Sequence, residues 1–228
     1  MPRPPDSSLS RRERERRRRR QAMLDAARSV FAEKGYADAT LDEIAEQAEF
    51  GKGTLYNYFE RGKEGLLFAV FADILDEIEA LIRTVFRDEY EDDGSLRDAF
   101  HMFAEGYFKL IRDREDLFLL LVKEAHLMAF SDDAEKVQFF REQHQRLVDA
   151  LTPIIEGAVE KGEIQPLPPE SVANLLLANV RGLGTHCTLE KHHCSCEEQQ
   201  FLGDPEKGAD FLTSFLFDGL ATTGTPSS

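Results

Sequence analysis

Leu41, Ile44, Ala45 and Ala48 fall at i, i+3, i+4 and i+7, which predicts a short helix with one buried apolar face. Thr40, with Glu43 three residues later, is a capping-box start for it. Gly51 and Gly53 end that helix in a turn. A second short helix follows from about Thr54 to Phe59, with Leu55 and Phe59 inward and Lys52, Gly53, Thr54, Tyr56 and Asn57 outward. Together they read as a helix-turn-helix whose second helix is polar and aromatic, the arrangement that brings a helix N-terminus into the major groove.

The same periodicity organises the rest. A preceding helix from about Gln21 to Lys34 turns Met23, Ala27, Val30 and Phe31 inward and stops at Gly35. From Lys63, the spacing of Leu67, Phe71, Ile74, Ile78, Leu81 and Val85 predicts a long amphipathic helix to about Arg87. Further helices are expected at about 96–112, 116–130, 133–161 (bent or interrupted by Pro153), 170–189 and 205–220. No stretch alternates as a strand does. The fold class is therefore all-α: a basic arm over 1–21, a helix-turn-helix domain over 22–62, and a larger helical domain over 63–228.

Charge adds a second pattern. The net charge is −15, yet residues 1–21 hold nine arginines against Asp6, Glu13 and Glu15. An acidic body with one basic arm repels DNA except where the arm and the second helix of the motif touch it. Composition supplies 42% hydrophobic residues, enough for a core, but no run of about 18 apolar residues long enough to span a membrane. The N-terminal arginines are not followed by an apolar stretch, so a cytoplasmic protein is expected. No phosphate-loop, Gly-x-Ser-x-Gly or His-Glu-x-x-His motif occurs, and an enzyme is not expected.

Gly53-Thr54-Leu55-Tyr56-Asn57-Tyr58-Phe59, followed by Lys63-Glu64 and Leu66-Leu67, resembles the signature of TetR/AcrR-family transcriptional regulators over roughly a quarter of the chain. Three positions depart from the family pattern. Glu49 stands where a turn glycine is common, Gly51 where a Ser or Thr caps the second helix, and one extra residue separates Phe59 from Lys63. Side-chain chemistry and the resemblance together assign Thr40, Thr54, Tyr56, Tyr58 and Lys63 to phosphates, and Lys52, Gly53, Tyr56 and Asn57 to base edges. Packing alone is an equal alternative for Tyr58. Arg18 and Arg20 of the arm are assigned to the DNA backbone or minor groove.

The resemblance also implies a homodimer on a palindromic operator and a small effector held between helices of the larger domain. Phe103, Tyr107, His126 and His144 are candidate effector residues, although aromatics at helical spacing are most often plain core. The expected function is a ligand-responsive DNA-binding regulator, a repressor released by its effector. One segment stands apart: residues 186–196 contain all three cysteines and half of the histidines. Cys187, His193, Cys194 and Cys196 could hold zinc or copper(I), the thiols could sense redox state, or the loop could be inert. A metal- or thiol-sensing regulator is thus the alternative function, and no cofactor is certain.

Overall fold

The computed structural model describes residues 10–88, 94–130, 132–191 and 204–219, and among them all regular structure is α-helical. The helices are α1 (Arg11–Asp38), α2 (Leu41–Gln47), α3 (Lys52–Tyr58), α4 (Lys63–Asp88), α5 (Leu96–Arg112), α6 (Glu115–Ala129), α7 (Ala134–Glu160), α8 (Pro169–Lys191) and α9 (Pro205–Phe217). They form two compact units, Met1–Ile74 and Leu75–Ser228, with the division inside α4.

In the first unit α1 begins ten residues earlier than its apolar pattern does. Ser10 caps it: its hydroxyl accepts from the Glu13 N–H, and Glu13 reaches back to the Ser10 N–H at 2.8 Å. The basic arm is therefore the first turns of α1 from Arg11 onward. Met23, Leu24, Ala27, Val30 and Phe31 are buried, and Gly35, at φ 76°, breaks the helical path. α2 carries the expected Thr40–Glu43 capping box. The turn into α3 places Glu49 at φ 59°, the left-handed region where a side chain is strained. Gly51 caps α3 through its backbone alone.

In the second unit α5 buries Leu96, Ala99, Phe100, Phe103, Ala104, Tyr107, Phe108 and Ile111 along one face. Each large side chain among these contributes on the order of 1.5–3 kcal/mol by leaving water. α9 lies along α5, with the Phe100 and Phe217 rings 5.6 Å apart, Arg97 on Asp218 at 2.9 Å and His101 on Asp210 at 2.8 Å. α7 packs beside α8 and continues through Pro153, whose ring faces solvent. Phe130, which the aromatic pattern would place in the core, is 87% exposed at the end of α6.

Gly62, at φ 60°, is buried with the Tyr56 ring and Leu41 about it; a Cβ there would meet each at 3.1 Å. Glu49→Gly should raise stability by up to about 1 kcal/mol, the relief of left-handed strain less the entropy of a glycine. Gly62→Ala should lower it by at least as much, because strain and crowding then act together. Urea unfolding of the two variants checks both signs.

Candidate functional site

The α2–α3 pair offers one polar surface. Leu55 and Phe59 are 1% and 5% exposed and anchor α3. Lys52, Gly53, Tyr56 and Asn57 face solvent, and Thr54 and Tyr58 are half-buried. Lys52 donates to Asp42 at 2.8 Å; both groups are exposed, so the pair is weak and a phosphate or a base edge can compete for the ammonium. The arm reaches the same helix. Arg16 lies over the Tyr58 ring at 5.8 Å and Arg20 over the Phe59 ring at 5.5 Å, cation–π contacts that fix α1 against the end of α3. Arg18 is 83% exposed, 3.7 Å from Glu15.

Two of the phosphate candidates are committed elsewhere. Thr40 both donates to the Glu43 carboxylate at 2.9 Å and accepts its N–H at 3.3 Å. Lys34, first, and then Thr40 hold Glu43 down to about 2 from an ordinary 4.5, so this cap is complete above about pH 4.5 and is lost as pH falls through about 2. Lys63 differs more. Its ammonium donates to the carbonyls of Tyr36, Ala37 and Ala39 at 2.8, 3.0 and 2.9 Å and sits 4.7 Å from the Tyr36 ring. All three donors are used to close the open end of α1.

The second unit contains a cavity of about 110 Å³. α4 contributes Leu75 and Ile78 to its wall, and α5 contributes Phe103 and Tyr107. Phe140, Gln143, His144 and Leu147 come from α7, and Leu177, Val180 and Arg181 from α8. Three of the four effector candidates therefore meet here. His126 does not: it is exposed on α6, with Nδ1 2.7 Å from the Val122 carbonyl. Sequence reasoning missed Gln143 and Arg181, polar residues on otherwise apolar helix faces.

His144 has a defined tautomer. Asn174 donates its amide to the Glu170 carbonyl at 2.9 Å, so its oxygen is the atom 2.8 Å from His144 Nε2, and that nitrogen carries a proton. Gln143 accepts from Arg146 at 2.7 Å, and Arg146 in turn reaches Asp76 at 2.7 Å and Glu79 at 2.5 Å on α4. Burial pushes Glu79 up, but Arg83 and Arg146 outweigh it and hold the carboxyl below its ordinary value. Burial pushes the Tyr107 phenol well above its ordinary value, opposed by the nearby Arg181 charge, so the hydroxyl remains protonated.

Of the Cys/His cluster, Cys187 lies half-buried on α8, while His193, Cys194 and Cys196 fall outside the described residues. Among the described residues no group of three His, Cys, Asp or Glu side chains is placed to hold a metal ion. Nor is any described helix long and apolar enough to cross a membrane.

A helix-turn-helix reader joined to an all-helical unit with an internal cavity defines a DNA-binding, ligand-responsive transcriptional regulator. Residues 23–70 match the family model for bacterial regulatory proteins of the tetR family, and residues 101–195 match the tetracycline repressor-like C-terminal domain. The chain belongs to the TetR family of transcriptional regulators, which are repressor-like and non-enzymatic as a class. The fatty acid metabolism regulator protein of Bacillus subtilis is 24% identical over 144 residues, 63% of this chain and 69% of that protein. The HTH-type transcriptional regulator RutR of Escherichia coli K12 is 26% identical over 163 residues, 71% of each. The crystal structure of FadR from Bacillus subtilis in complex with stearoyl-CoA shares the fold, with a TM-score of 0.71 at 20% identity over 88% of this chain and 99% of that one.

Lys63→Met should destabilise the protein by about 2–3 kcal/mol in chemical denaturation, because three carbonyls lose a charged donor. A phosphate-contacting lysine would instead leave stability unchanged and shift only DNA affinity.

Proposed function

We propose that the protein is a homodimeric repressor that seats its two α3 helices in major grooves about one helical turn, or a multiple of it, apart on a palindromic operator. It lets go when a small effector enters the cavity between α4, α5, α7 and α8. On α3, Lys52, Gly53, Tyr56 and Asn57 read base edges while Thr54 and Tyr58 contact phosphates. Arg18 and its exposed neighbours on α1 add sequence-independent attraction. The observation that carries the reading is the chain of contacts from Gln143 in the cavity wall, through Arg146, to Asp76 and Glu79 on α4. α4 belongs to both units, so an effector that displaces Gln143 or α4 alters the helix that leads back to the reader. The ligand then favours the state that binds DNA less well.

The second copy is assigned to the outer face of α8 and α9. Leu175, Ala178, Gly182 and Leu189 follow one exposed stripe of α8, and Phe211 and Phe215 stack on the exposed side of α9 with ring centroids 6.3 Å apart. Two such faces bury each other as a four-helix interface with small residues where the backbones approach.

Leu175→Asp combined with Phe215→Asp should convert the dimer to a monomer in sedimentation. The same variant should lower affinity for DNA from the protein's own upstream region by more than tenfold in fluorescence anisotropy, since the second half-site contact is no longer intramolecular. A variant that is monomeric yet binds that DNA undiminished would overturn the dimeric reading; a wild-type protein that fails to bind it in preference to unrelated DNA would overturn the operator.

A further inference from the structure

The cavity's polar groups say more about its occupant than its apolar walls do. Tyr107 is 6% exposed, lines the cavity, and its hydroxyl makes no hydrogen bond with any described residue. The Gln143 oxygen is taken by Arg146, which leaves the Gln143 amide hydrogens without an acceptor among the described residues. Arg181, at the exposed end of the lining, forms no ion pair with a described residue. The Tyr107 ring packs against Gly184, one turn along α8 from Arg181, so phenol and guanidinium belong to one end of the site. On the same wall His144 Nε2 is taken up by the Asn174 oxygen at 2.8 Å.

Donors left unused by the protein around a half-open site are completed by an acceptor, and a cation at its exposed end favours one that is charged. Size sets the other limit. At about 110 Å³ the space is smaller than the roughly 150 Å³ apolar cavity that accommodates benzene and far below the about 300–1,000 Å³ of drug-sized pockets.

We infer that the effector is a compact monocarboxylate with an apolar body of about one ring or a short chain, its carboxylate held by Arg181, Tyr107 and Gln143. The inference rests on the cavity being the effector site. It separates this chain's ligand from the stearoyl-CoA bound by FadR of Bacillus subtilis, whose acyl chain and nucleotide this volume does not admit.

The test is isothermal titration calorimetry of the full-length protein with benzoate, hexanoate, benzyl alcohol and stearoyl-CoA. Benzoate or hexanoate should bind, and benzyl alcohol, the same ring without the charge, should bind roughly ten- to hundredfold more weakly, the worth of a charge-assisted contact. Arg181→Met, a change at an exposed position, should remove that difference by weakening the carboxylates alone. Val180→Phe, with its helix content checked by circular dichroism, should abolish binding of all probes by filling the space. If benzyl alcohol equals benzoate and Val180→Phe abolishes both, the carboxylate class is overturned while the cavity stands as the effector site. If benzoate binds Val180→Phe as well as wild type, the cavity itself is overturned. Binding by stearoyl-CoA alone, or by no probe, overturns the inference.

Discussion

Within seven residues α4 carries four acids, and the fold depends on how each is held. Arg28 of α1 bonds Asp73 at 2.7 Å with both side chains largely out of water. Arg146 of α7 holds Asp76 and Glu79, and Arg114 at the start of α6 holds Glu77 at 2.6 Å, all with more solvent access. Removing one partner of a buried pair strands a charge at a cost of about 3–5 kcal/mol, whereas partly exposed pairs are worth far less. α4 is therefore gripped hard at Asp73 and more lightly from Asp76 to Glu79. Both kinds of contact fall in the middle third of the helix, Asp73 toward α1 and Asp76 to Glu79 toward α6 and α7. On the proposed mechanism these ion pairs, besides adding stability, decide which part of the helix an effector displaces.

Electrostatics divides the chain in the same way. A protein of net charge −15 binds a polyanion only if its cations are gathered, and they are gathered on the first turns of α1. Because Arg16 and Arg20 rest on the rings of Tyr58 and Phe59, the arm's orientation is set by the end of α3. The arm and α3 thereby form one surface, with Tyr56 held out toward solvent over Gly62, on which the proposed attraction to phosphate and reading of bases would meet.

Much of this was legible where interactions are local. The Thr40–Glu43 cap, the inward pair Leu55 and Phe59, and the long apolar stripe of α4 follow from spacings of three or four residues. The start of α1 carries the same capping pattern in Ser10 and Glu13, but in front of a charged run with no apolar period to mark a helix. What sequence could not reveal is non-local. Lys63 finds its carbonyls 24 to 27 residues away, Arg146 finds Asp76 across 70, and nothing local distinguishes His144, which lines the cavity, from His126, which does not.

The claim on which everything turns is that cavity occupancy reaches α4 through Arg146. Its direct measure is the ratio of operator affinities with and without a ligand shown by calorimetry to occupy the cavity, determined for wild type and Arg146→Met side by side. The ratio should be well above one in wild type and collapse toward one in the variant, although both proteins still bind the ligand and the operator. An undiminished ratio in Arg146→Met would contradict the coupling.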